Sequence, residues 1–356
     1  MAKRFISLFS FLFYLTLILI GLQASCQVEG SNSSKSSETI NGVCLVAPRE
    51  ASMLSELHKI ERISPSHVAV IPYAFQRQGE SRVNYSVKNP YWWGEGVEGA
   101  RETIQQLKAL GYKIMLKPHV WVVGEGWPGD FDPTKRVEEK RVEMEWSIWE
   151  DSYRDYIIKI TELAISEDVE LYCIGTEYRQ AVIKRPKFWK ELISEVRSTY
   201  KGKLVYASNW DNYQNIPFWE ELDYVGIDAY FPLSESEVPK VEELTAAWGV
   251  IKTDILRLAD SCKKPILFTE YGYRSIPYTA RGDWKNQEIT DLNQRAQSNA
   301  YQALYNVWWN EPSFAGGFLW KWHPADSMYQ KKAKARFTPQ GKEVEKVIHS
   351  TYSGDN

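Results

Sequence analysis

The sequence predicts an α/β chain that closes into a single (β/α)8 TIM barrel. Three observations predict it. Eight short apolar runs recur along the chain, helical patterns lie between them, and no G-x-G-x-x-G or Walker sequence follows an early strand, as a doubly wound nucleotide fold would require. Composition agrees with one large domain over 41–352: the 356 residues are 44% hydrophobic and 25% charged.

The elements follow in order. Strands are read at 42–47, 67–73, 112–118, 168–176, 203–209, 223–229, 265–269 and 315–320, each a short apolar run. Helical spacing occupies 50–59, 97–110, 149–167, 186–199, 240–262, 288–310 and 340–350. Only a helical turn near Pro217 to Glu220 fits between the fifth and sixth strands. Gly94-Glu95-Gly96 follows Tyr91-Trp92-Trp93 rather than a simple buried strand and reads as loop. Long loops are expected after strand 2 (Ala74 to Gly96), strand 3 (His119 to Ile148) and strand 7 (Tyr271 to Gln287). All three fall on the C-terminal face, where barrel enzymes build their sites.

The N-terminus reads as an export signal over 1–25. Lys3 and Arg4 precede an apolar stretch from Phe5 to Leu22, and the small residues Ala24 and Ser25 follow. The stretch approaches the length of a membrane span, so an uncleaved anchor is the alternative to cleavage. Cys26 after Ala-Ser resembles a bacterial lipoprotein cleavage site, although Gln23 stands where Leu is usual. The expectation is an exported protein, either a cell-surface or periplasmic lipoprotein anchored through Cys26 or a freely secreted one. Residues 26–40 are a Ser-rich flexible tether.

Net charge is −3 with no basic patch, which argues against nucleic acid. Cys44, Cys173 and Cys262 are too few and too scattered for a disulfide framework or a metal site, and no cofactor motif is found. The outlier is the aromatic content: 15 Trp, 21 Tyr and 13 Phe. Most of these rings fit a large core, and some fit stacking against sugar rings.

Two glutamates end buried runs. Glu177 closes strand 4 and Glu270 closes strand 7, each preceded by Thr. Strict alternation groups Cys173 and Gly175 with Glu177, and Ile266 and Phe268 with Glu270, so both carboxylates are expected to converge at the barrel mouth. Paired carboxylates suit glycosidic bond cleavage: one acid protonates the leaving oxygen while the other attacks or activates water. The bland alternative is a rim carboxylate paired with Arg179 or Arg274.

Several stretches carry a more specific resemblance: Met115-Leu-Lys-Pro-His-Val-Trp121, Ile174-Gly-Thr-Glu177, Ala207-Ser-Asn-Trp-Asp211, Leu222-Asp-Tyr-Val-Gly-Ile-Asp-Ala-Tyr230, Phe268-Thr-Glu-Tyr-Gly-Tyr-Arg274 and Gly316-Gly-Phe-Leu-Trp-Lys-Trp322. Together they resemble the family 113 glycoside hydrolases, retaining β-1,4-mannanases of the (β/α)8 class. The resemblance implies Glu177 as general acid/base and Glu270 as nucleophile. Thr176 departs from the Asn that the wider clan often places before the acid/base.

Around this pair, Tyr230 is either a hydrogen-bond donor to Glu270 or a buried structural tyrosine. Asn209 and Asp211 could bind sugar hydroxyls, Asp211 equally starting a turn. His119 is a hydroxyl ligand or a packing residue, and Asp228 a substrate ligand or a brace. Trp320 and Trp322 share a face at the end of strand 8 and suit a sugar platform. Trp92, Trp93, Trp121, Trp127 and Trp284 lie in long loops and suit outer subsites or loop packing.

The partner expected is a polysaccharide or oligosaccharide. The main reading is β-1,4-mannan hydrolysis by double displacement. Its alternatives are the same mechanism on glucan or xylan, an exo-acting β-mannosidase, or a non-catalytic glycan-binding lipoprotein.

Overall fold

The computed structural model describes residues 39–88, 92–124, 126–282, 288–325 and 335–355. The expected signal, Cys26 and Trp284 lie outside the described residues, as does all but the end of the tether. The strands are β1 (Ile40–Leu45), β2 (His67–Val70), β3 (Tyr73–Arg77), β4 (Val83–Tyr85), β5 (Lys113–Leu116), β6 (His119–Val123), β7 (Leu171–Thr176), β8 (Lys203–Asn209), β9 (Val225–Asp228), β10 (Ile266–Tyr271) and β11 (Phe314–Trp322). Eight of them close a parallel barrel in the order β1-β11-β10-β9-β8-β7-β5-β2.

Side chains of alternate residues split the interior into two packed regions. Cys44, Ala69, Met115, Cys173, Val205 and Leu267 fill the barrel. Their neighbours, such as Val43, Val68, Ile114, Tyr172, Leu204 and Phe268, face the surrounding helices. Cys44, Ala69 and Cys173 are small enough to leave room for Met115 and Leu267, because eight strands leave little space at the axis. The second group takes most of the aromatic surplus. Trp149, Trp189, Trp248 and Trp308 are fully buried between strands and helices. Trp189 meets Trp149, Tyr153, Tyr206 and Phe218 at centroid distances of 5.3–6.1 Å.

Two expected loops hold further structure. β3, β4 and β6 form a separate three-stranded sheet beside the mouth, β3 lying parallel to β6 and antiparallel to β4. Pro72 and Pro118 interrupt the parent runs, so one long strand in the sequence becomes a barrel strand plus a sheet strand. The helix expected at 149–167 begins earlier, at Glu139–Ser166. Its opening turns are charged and largely exposed, and only Val142 and Trp146 carry the apolar face into them.

Trp189 bridges the shell under β7 and β8. Trp189→Ala should cost about 3–5 kcal/mol of stability, read from the urea unfolding midpoint of the purified protein.

Candidate active site

The C-terminal ends of β7, β8, β9, β10 and β11 open into a cleft of about 900 Å³. Glu177, Glu270, Asp228, Tyr230, Asn209 and Trp320 all line it, together with His119 and Asp211.

Alternation alone does not aim the two glutamates. Ile266 and Phe268 face the helices, so strict alternation would have turned Glu270 outward with them. The pairing register shifts after Phe268 on both sides of β10. That β-bulge sends Thr269 and Glu270 inward together, correcting the expectation that Glu270 shares a face with Ile266 and Phe268. β7 shows the same device. Its register shifts between Cys173 and Thr176. A side chain on Gly175 would strike Tyr153 and Trp189 in the outer layer, so Gly175 does not share the inward face of Cys173. Glu177 then adopts a left-handed backbone, φ 57°, a conformation that costs a non-glycine residue about 1–3 kcal/mol.

A buried lysine holds Glu270. Lys117, wholly inaccessible, contacts Glu270 Oε1 and donates to Asp228 Oδ1 at 3.0 Å. Tyr230 Oη donates to Glu270 Oε2 at 2.8 Å, and His119 Nε2 lies 3.4 Å from Oε1. Burial alone would raise the Glu270 pKa. The Lys117 cation, aided by His119, overcomes it and takes the carboxyl down to about 2. Asp228 also accepts from Thr269 Oγ1 at 2.8 Å. Its own pKa is raised to about 7, by burial and then by the Glu270 anion, against the pull of Lys117. Lys117 itself is shifted upward, because the two carboxylates outweigh its desolvation.

Glu177 lies in the opposite regime. Burial, then the Asp228 and Glu270 anions, raise it to about 8. The Trp127 indole N–H donates to its Oε2 at 2.7 Å and opposes that rise. One cleft therefore holds a carboxyl poised to keep its proton and a carboxylate poised to stay ionised, an arrangement suited to acid–base and nucleophilic work on one bond.

The remaining expected residues separate. Arg179 pairs with Asp130 and Asp211 at 2.8 and 2.9 Å, and Arg274 donates to the carbonyls of Ala335 and Ile289, so neither neutralises a cleft glutamate in these pairings. Asp211 thus spends one oxygen on Arg179. Asn209 Oδ1 accepts from the Trp210 amide at 2.8 Å. Trp320 lies parallel to His119 with centroids 6.0 Å apart. Trp322 does not share its face. A register shift between Cys44 and Leu45 puts an extra residue into β11, and Trp322 is fully buried on the helix side beneath Arg62. Among the loop tryptophans, Trp121 is 57% exposed at the cleft wall, whereas Trp92 is covered by the Arg49 guanidinium 4.5 Å away.

Two participants escaped the sequence reading, Lys117 in its bridging role and Trp127 as a partner of Glu177. The signal for Lys117 was present: a charge closing the apolar run Ile114-Met115-Leu116. Nothing in the sequence ties Trp127 to a residue 50 positions away. Three free cysteines stand among the described residues, and Cys44 and Cys173 are buried. No cluster able to hold a metal occurs among the described residues.

The comparisons with known proteins bear on this cleft. The family model described as Glycoside Hydrolase Family 113 matches residues 48–342. A GH113 β-mannanase from Alicyclobacillus acidocaldarius, solved in complex with ManMIm, superposes with a TM-score of 0.76 at 21% identity, over 91% of this chain and 100% of that one. A complex of a GH113 β-1,4-mannanase superposes at 0.74 and 23% identity, over 89% and 99%. A β-glucuronidase from Faecalibacterium prausnitzii matches at 0.57 and 14% identity, over 89% of this chain and 49% of that one. No curated protein matched by sequence.

Removing either partner should move its carboxylate in a defined direction. Lys117→Met should raise the Glu270 midpoint above about 2, because the ionised form loses its cation. Trp127→Phe should raise the Glu177 midpoint above about 8 by loss of a donor to the anion. Carbon-13 NMR titration of glutamate-labelled protein reads both, and a downward shift in either variant would contradict the assignment.

Proposed function

Because this chain belongs to glycoside hydrolase family 113 and is therefore a glycoside hydrolase, we propose that it cleaves β-1,4-linked mannan-type polysaccharide with retention of anomeric configuration. The observation that carries this reading is the opposed protonation of Glu177 and Glu270 in one cleft. The β-mannanases among the similar structures support the choice of substrate, and the exposed Trp121 in the cleft wall suits an extended chain.

In the proposed sequence, a Glu270 oxygen attacks the anomeric carbon while the bond from that carbon to the bridging oxygen breaks. Glu177 delivers its proton to the departing oxygen, and a glycosyl ester forms on Glu270. Water then attacks the same carbon, gives a proton back to Glu177 and frees Glu270. Lys117 and Tyr230 hold Glu270 ionised and oriented before attack. Sugar hydroxyls would satisfy polar atoms that are buried without a protein partner in the cleft: Thr176 Oγ1 and Asp228 Oδ2.

Product analysis on mannan, glucan and xylan, with the anomeric form followed by NMR, tests substrate and stereochemistry together. The expected first product is the β-anomer from mannan. An α-anomer would exclude double displacement, and turnover of glucan or xylan alone would move the substrate.

Activity should require protonated Glu177 and ionised Glu270. The pH profile of kcat/KM should fall on the alkaline side near 8 and hold through the ordinary carboxylate range on the acid side. Glu270→Ala should lose several orders of magnitude, and added azide should partly restore turnover with inverted product. Glu177→Gln should lose about 10²–10⁴-fold on mannan and far less in the first step on aryl mannosides with good leaving groups. Equal losses on both substrates would reject the acid/base role.

A further inference from the structure

Glu177 has a mechanical support that extends well beyond its own hydrogen bond. The Trp127 indole that donates to Oε2 lies under the Arg179 guanidinium, whose central carbon is 4.9 Å from the ring centroid. Gly129 leaves room for the same ring: a Cβ there would come within 2.4–2.6 Å of Trp127 ring carbons. Arg179 is itself held at both ends, Nη2 to Asp130 at 2.8 Å and Nη1 to Asp211 at 2.9 Å.

These contacts join three separate segments. Trp127, Gly129 and Asp130 follow β6, Arg179 follows β7, and Asp211 follows β8. The backbone fixes the geometry from Glu177 onward. Tyr178 has φ −75° and ψ 63°, and the Arg179 N–H bonds the Glu177 carbonyl at 2.8 Å. That is an inverse γ-turn, which folds residue 179 back toward the residue it serves. Glu177 and the cation that steadies its partner are thereby two residues apart and set by one rigid bend.

We propose that Arg179 is a positioning residue for the acid/base: clamped by Asp130 and Asp211, it fixes the Trp127 indole so that Glu177 Oε2 is held and Oε1 is left to deliver the proton. The inference rests on the acid/base reading of Glu177. It assigns Asp211 to the clamp rather than to a sugar hydroxyl. A misplaced catalytic group can cost about 100-fold in rate, so a modest cation–indole contact can govern a large effect.

The test compares Arg179→Met, Arg179→Lys and Gly129→Ala with the wild type on two substrates, mannan and a dinitrophenyl β-mannoside. The last variant disturbs the same indole without touching a charge. Arg179→Met and Gly129→Ala should lose about ten- to hundredfold in kcat on mannan but less than about threefold on the aryl mannoside, which needs little proton donation. Arg179→Lys, which keeps a cation for the ring, should recover part of the loss. The alkaline limb should also move to higher pH in Arg179→Met. Glu177 would then face Asp228, Glu270 and Lys117 with its indole donor loosened, and loss of a donor favours the protonated form. Losses equal on both substrates, with an unmoved alkaline limb, would overturn the inference. Glu177→Gln measured in parallel separates the two readings. If it shows no leaving-group discrimination, the acid/base assignment itself fails. If it does and the Arg179 and Gly129 variants do not, only the clamp fails.

Discussion

A single buried cation organises the cleft. Lys117 has no solvent contact, and its ammonium is shared between Asp228 and Glu270. Three such groups could not be buried separately, since an isolated ion in a protein interior costs several kcal/mol even after relaxation. Sharing one cation between two anions leaves an excess negative charge, and the environment distributes it unequally. Glu270 takes the short contact, the Tyr230 hydroxyl and the His119 edge and stays ionised. Asp228 is left with an unpartnered oxygen and a raised pKa. The same negative field reaches Glu177 and helps to keep its proton in place. Burial raises Glu177 most and the two anions add to it, so the charge arrangement that keeps Glu270 ionised also pushes Glu177 toward its protonated form.

That arrangement needs the strands to stop alternating where they reach the mouth. β7, β10 and β11 each shift register near their C-terminal ends. Within the barrel, alternation keeps residues such as Cys44, Ala69, Cys173 and Ala207 inside and most of the aromatic ones against the helices. At the rim, bulges release the chain from that rule, so consecutive residues such as Thr269 and Glu270 can both face inward. The left-handed backbone of Glu177 is a second release of the same kind. The closely packed layer of Trp149, Tyr153, Trp189 and Tyr206 beneath β7 and β8 gives that strained rim a stiff foundation.

The inserted three-stranded sheet adds one wall. β6 brings His119 to Glu270 at its start and carries Trp121 outward on the same face, and the segment after it returns Trp127 to Glu177. A short excursion of chain thus reaches both carboxylates. The parent barrel strand supplies Lys117, two residues before β6 begins. Lys117, His119 and Trp127 between them therefore reach Asp228, Glu270 and Glu177.

Sequence periodicity by itself determined the barrel, the approximate bounds of its eight strands and the positions of Glu177 and Glu270 at strand ends. Burial patterns are local, and an apolar run must be covered wherever it lies. Asn209 at the end of β8 and Asp228 at the end of β9 were also legible, as polar residues closing apolar runs. Tertiary structure alone decided the rest. It turned Glu270 inward against its strand's parity, buried Trp322 on the opposite side from Trp320, committed Asp211 to Arg179 and set Lys117 between two acids. Bulges depend on which register the neighbouring strand accepts, and charge pairing in the cleft joins Lys117 to Glu270, 153 residues apart in the chain. Both are settled only when the barrel closes, because only then do distant strand ends compete for the same small volume.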